Sequence, residues 1–400
     1  MNLSNGYPYW LINSGIPYNY SKLTSSLSTR VVIIGGGVSG ALSAYILTVA
    51  GIECILVDAR SIGMGSTCAS TALLQYELDK PLSVLANQMG FKNAAHVYKL
   101  CAQAIQKIET ISKKIKFTEF SKQQSLYFAA FKKHKKDIEI EFAFRKKAGF
   151  DVQLLDERDT FKRFGFKAPA SILSAVAATI DPYLFTHALL QAAIKKGLQV
   201  YDRTGVLKTS YTKNGVNLIT NEGVSIKAKK IINATGYEIK EFIDKKIVKL
   251  SSTYAIASEH MESEKPVWDQ NTLLWNTADP YLYIRHTKDR RIIVGGRDED
   301  FYNPSKRDGL IKKKSQLLVK DFEKLFPKTN ILPEFCWCGT FGSTKDSLPY
   351  IGTYTKTPHT YYALGFGGNG ITFSVIAAEQ IRDMILGKKN KDAHLFSFSR

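Results

Sequence analysis

The segment that most constrains the fold is residues 31–40, VVIIGGGVSG, in which four apolar β-forming residues run directly into a glycine-rich turn. Gly35 permits a tight turn, Gly37 lets backbone N–H groups approach a pyrophosphate, and Gly40 lets the next helix pack closely on the strand. A small-residue helix pattern follows over 41–50, and a helix N-terminus attracts phosphate groups. The pattern predicts a dinucleotide-binding βα unit.

Asp58 supports the prediction of a dinucleotide-binding unit. It ends a second apolar strand over 52–57, and a carboxylate about 20 residues after the glycines can accept hydrogen bonds from ribose hydroxyls. Residues 31–52 carry no charge, which is also compatible with a membrane span. Glycines at the start of a helix argue against a span, so we predict none.

Composition places the chain among ordinary globular proteins. Of its 400 residues, 44% are hydrophobic and 23% are charged, and this length predicts two domains. Residues 1–22 lack a basic start followed by an apolar core, so we predict no signal peptide and a cytoplasmic location. The five cysteines are an odd number without a CxxC pair, which predicts neither disulfides nor a metal site.

The charge is strongly basic. Lys and Arg total 55 against 36 Asp and Glu, a net charge of +19 that could attract nucleic acid, anionic lipid or an acidic substrate. The densest basic runs lie within 132–147, where Glu139, Glu141 and apolar residues interrupt them at helical spacing. This spacing favours a solvated helix face, and no nucleic-acid motif accompanies it. We therefore do not expect a nucleic-acid partner, whereas contact with a membrane surface stays open.

Several separated blocks resemble one known family. They are the glycine-rich start, Asp58, the segment 65–71 (GSTCAST), the strand end Ala234-Thr235-Gly236 and the C-terminal GFGGNG at 365–370. Trp337-x-Gly339 followed by 344–352 (TKDSLPYIG) is similar to the pattern W-x-G…T-x-D-G-x-P-x-I-G. Over residues 30–388 the chain resembles the D-amino-acid oxidase (DAO) superfamily of FAD-dependent oxidoreductases, which includes glycine oxidase, sarcosine oxidase and γ-glutamylputrescine oxidase.

The resemblance implies an α/β fold in two domains. One is a Rossmann-like FAD-binding domain of the glutathione-reductase type, at 29–90, 170–240 and 335–390. The other is a discontinuous substrate domain at 91–169 and 241–334, built on a mainly antiparallel β-sheet plus helices. Residues 1–28 are predicted to be an extended leader whose aromatic residues Tyr7, Tyr9 and Trp10 dock on the domain surface.

The resemblance also implies the residues that bind FAD. The glycine turn would hold the diphosphate, the region of Asp58 the ribose, and the C-terminal glycines the isoalloxazine. Small residues at a helix N-terminus also suit the negative charge of reduced flavin. The predicted cofactor-binding residues are Gly35, Gly37, Val38, Ser39, Gly40, Asp58, Ala59, Arg60, Ser66, Thr67, Ser70, Thr71, Ala72, Leu73, Val206, Ala234, Thr235, Gly236, Phe366, Gly367, Gly368, Asn369, Gly370, Ile371 and Thr372.

Flavin chemistry requires few catalytic side chains. The protein must orient a C–H bond over the flavin and exclude water, and an amine must lose its proton, which an apolar aromatic pocket favours. Tyr254, Tyr281 and Tyr283 are predicted to line this pocket, with Arg285 as an anion anchor. Strand alternation puts Tyr281, Tyr283 and Arg285 on one face.

The chain departs from the amino-acid oxidases at the substrate end. The two arginines that bind the substrate carboxylate in glycine oxidase fall on Phe341 and Gly368 in this sequence. Without such a bidentate anchor, an amine or a larger secondary amine is the better substrate, unless Arg285 or Arg297 substitutes. The covalent flavin cysteine of sarcosine oxidase falls on Gly339, one residue from Cys338, so covalent attachment is not expected.

Three functions remain open from the sequence. The first is an FAD-dependent oxidoreductase that oxidises the C–N bond of a small-molecule amine or amino-acid-like substrate by hydride transfer, with imine hydrolysis and flavin reoxidation by O2. The second is a dehydrogenase that passes electrons to a quinone or carrier at a membrane surface. The third is a basic flavoprotein that binds or modifies tRNA.

Overall fold

The computed structural model describes residues 1–238, 243, 247–262 and 265–400. The predicted domain limit at 240/241 lies outside these residues. The strands are β1 (Ser4–Gly6), β2 (Leu27–Ile34), β3 (Cys54–Val57), β4 (Leu73–Gln75), β5 (Phe120–Phe128), β6 (Val152–Asp156), β7 (Ala170–Ile180), β8 (Gln199–Tyr201), β9 (Val206–Thr212), β10 (Gly215–Thr220), β11 (Ser225–Asn233), β12 (Lys249–Ser258), β13 (Thr272–Asn276), β14 (Tyr283–His286), β15 (Ile292–Glu299), β16 (Pro333–Ser343), β17 (Tyr350–Thr353) and β18 (Thr360–Leu364). The α-helices are α1 (Tyr9–Ser14), α2 (Val38–Val49), α3 (Ser66–Ala69), α4 (Leu82–Met89), α5 (Phe91–Lys114), α6 (Lys135–Lys147), α7 (Glu157–Phe164), α8 (Pro182–Ile194), α9 (Pro304–Gly309), α10 (Ile311–Leu325) and α11 (Gly370–Ile385).

The smaller sheet is the nucleotide-binding sheet that the glycine motif predicts. Its central order is β17-β18-β11-β2-β3-β8, with β18, β11, β2, β3 and β8 parallel, and β10 and β9 extend it from β11. Helices α8 and α11 both pack against α2. Because helices cover a parallel sheet, the end of β2 is continuously apolar and buried.

The larger sheet runs in the order β1-β16-β12-β15-β14-β13-β5-β7-β4, with β6 paired to β7. All its pairings are antiparallel except that of β5 with β13. Helix α10 packs on β12, β15 and β16 and covers one face. A Rossmann-like unit beside a mainly antiparallel sheet confirms the predicted α/β fold class.

The sheets do not follow the predicted domain limits. The strands β4 and β7, and most of β16, lie in segments predicted for the FAD-binding domain, yet all three belong to the larger sheet. The chain therefore crosses between the two sheets more often than the predicted domain limits imply. No helix in the described part of the chain is both long and apolar enough to cross a membrane.

The leader is not simply extended, which corrects the prediction for 1–28. It contains α1, and β1 adds an antiparallel edge strand to β16. Tyr9 and Trp10 are buried as predicted, whereas Tyr7 is 66% exposed. Tyr7 points to solvent because it falls between these two elements and faces neither core.

Candidate functional site

A cavity lies where the carboxyl ends of the parallel strands face the larger sheet. The smaller sheet contributes the residues that follow β2, β3, β11 and β18. The larger sheet contributes residues of β4, β12, β14, β15 and β16. Ligands of open α/β sheets bind at the carboxyl edge of the parallel strands, so this cavity is the candidate site.

The glycine turn is shaped by close backbone contacts. A Cβ at Gly40 would lie 1.8 Å from the carbonyl oxygen of Gly35, and a Cβ at Gly35 would lie 2.5 Å from that of Ala234. Gly35 also has a φ of +110°. The N-cap of α2 is Gly37, which has no side chain to cap the helix, and Thr67 Oγ1 accepts only the N–H of Val38, at 3.0 Å. The rest of the first turn presents backbone N–H groups for which an anion is a suitable acceptor.

Asp58 is fixed at the end of β3. Its carboxylate accepts hydrogen bonds from the N–H groups of Gly36, at 2.5 Å, and Arg60, at 2.7 Å. Burial raises the pKa of this carboxyl, and the two N–H groups oppose the shift. Arg60 pairs with Glu238, so its charge is already compensated. This geometry suits a ribose.

The loop 69–72 forms one wall of the cavity, and side chains outside the cavity donate hydrogen bonds to its carbonyl oxygens. The indole N–H groups of Trp337 and Trp10 donate to the carbonyls of Ala69, at 2.9 Å, and Ser70, at 2.6 Å. Arg285 Nη1 donates to the carbonyls of Thr71, at 3.2 Å, and Ala72, at 2.9 Å. Three side chains distant in sequence thus fix four successive peptide units. The neighbouring Ser66 also lines the cavity, and its buried hydroxyl has no hydrogen-bond partner among the described residues.

The C-terminal glycine segment forms the opposite wall and leads into α11. The Asn369 side-chain amide donates to the carbonyls of Gln75, at 3.0 Å, and Glu77, at 2.9 Å, which ties this segment to the chain that follows β4. Ser39 and Ser374 share a hydrogen bond of 2.6 Å between α2 and α11. Two helix N-termini therefore converge on one cavity.

Every predicted cofactor-binding residue lines this cavity except Gly40. Gly40 lies one turn inside α2, where its missing side chain allows the close packing that the motif predicts. Their contacts with the cofactor stay predictions.

The substrate end is aromatic. Tyr281 and Tyr283 line it, with ring centroids 5.6 Å apart. Gly295 makes room for one of them, because a Cβ there would lie 2.1 Å from the ring of Tyr283. Phe341 and Gly368, the two positions where the resemblance places arginines, also line the cavity. Among the described lining residues, the only Lys or Arg is Arg60, at the ribose end.

Tyr254 corrects one prediction, because it does not line the cavity. It is buried on the other face of β12 among apolar residues, and Lys314 Nζ lies 5.4 Å from its ring centroid. Burial raises the pKa of its hydroxyl, which has no hydrogen-bond partner in the part of the chain that the structure describes. The neighbouring Thr253 lines the cavity instead, since successive strand residues face opposite sides.

Arg285 corrects another prediction. It shares a strand with Tyr283, but its guanidinium lies behind the loop 69–72, where it binds the backbone carbonyls of that loop and of Ile180. Burial lowers its pKa to about 10, so it is charged at neutral pH. A buried guanidinium needs acceptors, and the loop supplies them, so it is not an anion anchor in the cavity. Arg297 is also engaged, with Asp321.

Cys338 faces away from the cavity, next to Asn5 and Asp308, while Gly339 lines it. All five cysteines are free thiols. No group of three or more His, Cys, Asp or Glu within the described ranges could hold a metal ion.

Sequence reasoning missed Asp298, Thr253 and the two tryptophans that hold the loop 69–72. Simple alternation cannot find Asp298, because Gly296 and Arg297 both have positive φ and the register of β15 against β12 shifts there. Such a bulge redirects the following side chains. The W-x-G motif singled out Trp337 in the sequence, but nothing in the sequence indicated which carbonyl its indole N–H would bind.

Comparison with known proteins agrees with this geometry. A family model described as FAD dependent oxidoreductase (DAO) matches residues 30–384, and the chain belongs to this family. Gamma-glutamylputrescine oxidoreductase of Escherichia coli (strain K12) is 22% identical over 92% of this chain and 86% of its own length. Glycine oxidase of Bacillus licheniformis is 22% identical over 92% of this chain and 95% of its own length.

Among solved structures, glycine oxidase from Geobacillus kaustophilus superposes with a TM-score of 0.77 at 17% identity, covering 93% of this chain and 99% of its own. The family resemblance inferred from the sequence is confirmed. The protein is an FAD-dependent oxidoreductase related to amine and amino-acid oxidases. Its cavity fits that cofactor, because steric crowding keeps the glycine turn free of side chains and two helix N-termini face the space.

Proposed function

We propose that the protein oxidises the C–N bond of an amine, releasing an imine that is hydrolysed, with O2 as the final electron acceptor. The observation that carries this proposal is a substrate end with two tyrosines and a phenylalanine but no lysine or arginine among its described lining residues. Aromatic rings of this kind exclude water, and this desolvation disfavours the ammonium form of the reacting amine relative to the neutral form that can lose a hydride.

FAD, when bound, supplies the electron sink for this reaction. The chain itself holds the cofactor and orients the substrate. We propose that the glycine turn and Asp58 hold the dinucleotide, and that the loop 69–72 and the segment 366–372 hold the flavin ring. The N-terminus of α11 carries the positive end of a helix dipole, which favours negative charge on the reduced ring.

Phe341 and Gly368 favour an amine over an amino acid. At the two positions where an arginine would bind the carboxylate of an amino-acid substrate, this chain has the phenyl ring of Phe341 and the backbone of Gly368. Arg285 cannot replace them, because its guanidinium donates to backbone carbonyls. The relative named gamma-glutamylputrescine oxidoreductase supports an amine of this kind. We propose a primary or secondary amine without a carboxylate beside the oxidised carbon.

The test is reduction of the purified flavoprotein without oxygen. The flavin band near about 450 nm is followed against a panel of amines and of D- and L-amino acids. We expect amines to bleach it and amino acids to react poorly. Air should then restore the band with one peroxide per turnover. Rapid bleaching by amino acids alone would contradict the amine proposal, and slow recovery without peroxide would favour a quinone or carrier as acceptor.

A further inference from the structure

Two carboxyl groups at the substrate end form no salt bridge with any residue that the structure describes. Asp298, near the end of β15, lines the cavity, and its buried Oδ1 has no hydrogen-bond partner among the described residues. A buried carboxylate oxygen without a partner is costly, because it loses hydration and gains nothing in return. Because the Asp298 side chain lines a cavity, a cationic ligand is a suitable partner for its carboxyl group.

Asp79 provides the second carboxyl. It accepts hydrogen bonds from the hydroxyl of Tyr281, at 3.1 Å, and from the N–H of Gly368, at 3.1 Å, and both donors line the cavity. Desolvation raises the pKa of Asp79, and these two donors only partly offset it. Tyr281 therefore connects Asp79 to the aromatic wall.

The described residues supply only a partial countercharge to Asp298. Lys314 lies near Asp298 on α10, but its ammonium group donates to Glu299 and to the carbonyl of Arg297. No salt bridge involves Asp79 or Asp298 within the described ranges. Burial, with repulsion from Asp79 and Asp279, raises the pKa of Asp298 to about 6, against the opposing effects of Thr253 and Lys314. The charged and titratable groups facing Asp298 are Asp79, Asp279, Lys314, Tyr281 and Tyr283.

We propose that Asp298 and Asp79 form a cation-binding subsite for a second ammonium group of the substrate, so that the enzyme prefers diamines or polyamines to monoamines. An ammonium group at this wall would form an ion pair with the carboxyl group of Asp298 and be attracted to the aromatic rings of Tyr281 and Tyr283. This inference rests on the proposed amine oxidation, and it adds the substrate class.

The experiment compares three ligands of similar length on the holoenzyme: 1,4-diaminobutane, n-butylamine and 4-aminobutanoate. Binding is measured without turnover, from the change in the flavin absorption spectrum and from the thermal shift. We expect 1,4-diaminobutane to bind about tenfold or more tightly than n-butylamine, as for other hydrogen bonds between charged groups, and 4-aminobutanoate to bind most weakly.

Asp298→Asn removes the charge at nearly constant shape and should abolish the preference for the diamine. Asp300→Asn is the matched control, because Asp300 is exposed two residues away and pairs with Lys249 at the surface. It should keep the preference. Equal binding of diamine and monoamine by the native protein, or an unchanged preference in Asp298→Asn, would overturn the inference.

A pH series on the native holoenzyme tests the subsite independently, in case the Asp298→Asn variant loses its flavin. Because the subsite must be ionised to bind a cation, the preference for the diamine should fall as the pH drops through about 6. A preference that is constant from pH 5 to about 8 would overturn the inference. The proposed function and the subsite can fail independently. If amines bleach the flavin without a preference for the diamine, amine oxidation is supported and the subsite is rejected. If the diamine binds in an Asp298-dependent way but does not bleach the flavin, the subsite is supported and amine oxidation is rejected.

Discussion

The two ends of the cavity are built in different ways. The nucleotide end consists of backbone held in place by steric contacts at glycines, and most of it lies within a few residues of β2, β3, β11 and β18. The substrate end consists of side chains from β12, β14, β15 and β16, with Asp79 from the loop after β4 hydrogen-bonded to it. The first is local, and its turn has no room for a Cβ at Gly35 or Gly40. The second depends on strand register, so its chemistry can change while the fold is kept.

The largest effect is expected at the nucleotide end, from Gly40→Ala. The added methyl would lie 1.8 Å from the Gly35 carbonyl oxygen, so α2 must move away from the turn. We expect the purified protein to carry little or no flavin, measured as absorbance near about 450 nm per mole of protein. Gly309→Ala is the control, since a Cβ there meets nothing within 4 Å. Full flavin content in Gly40→Ala would show that the turn is less constrained than its contacts indicate.

Arg285→Met tests the support behind the loop 69–72. It leaves the carbonyls of Thr71 and Ala72 without their donor, so we expect the free energy of unfolding to fall by about 3 kcal/mol. Urea unfolding measures it, together with flavin retention. Arg297→Met, which breaks a half-exposed pair with Asp321, should cost at most about 1 kcal/mol. If Arg285→Met instead spares stability and changes only the binding of carboxylate ligands, the anion-anchor interpretation regains support.

Gly295→Ala tests the shape of the substrate end. The methyl would displace the ring of Tyr283, and we expect flavin content to stay normal while the rate of amine-driven bleaching falls about tenfold, or about 1.4 kcal/mol. The Tyr283→Ala background removes the clash, so adding Gly295→Ala there should change little. Additive effects in the double variant would contradict this mechanism.

The smallest effect is expected from Tyr254→Phe. Because its hydroxyl is buried without a partner in the described part of the chain, its loss should leave catalysis unchanged and stability equal or up to about 1 kcal/mol higher. Thermal unfolding and the bleaching rate measure the two quantities. A bleaching rate reduced tenfold would restore Tyr254 as a catalytic residue.

Prediction from the sequence succeeded where the determinants are local. Asp58 could be placed because its hydrogen bonds go to Gly36 and Arg60 around the same motif. The N-cap of α8 is equally local, since the carboxylate of Asp181 accepts hydrogen bonds from the N–H groups of Tyr183 and Leu184. The prediction that Tyr254 lines the pocket was wrong, because strand alternation defines two faces of β12 but does not show which face meets the cavity.

The sequence by itself determined the family, the α/β class, the cofactor and the glycine turn, because each depends on residue types at short and fixed spacing. Only the tertiary structure decided that Arg285 supports a loop and that Tyr254 belongs to the core. It also decided that Asp298 lines the cavity and that Asp79 is hydrogen-bonded to two of the lining residues. Those outcomes depend on strand register, on a bulge near Gly296 and on contacts between segments up to a few hundred residues apart. Spacing along the chain carries no information about such distances in space.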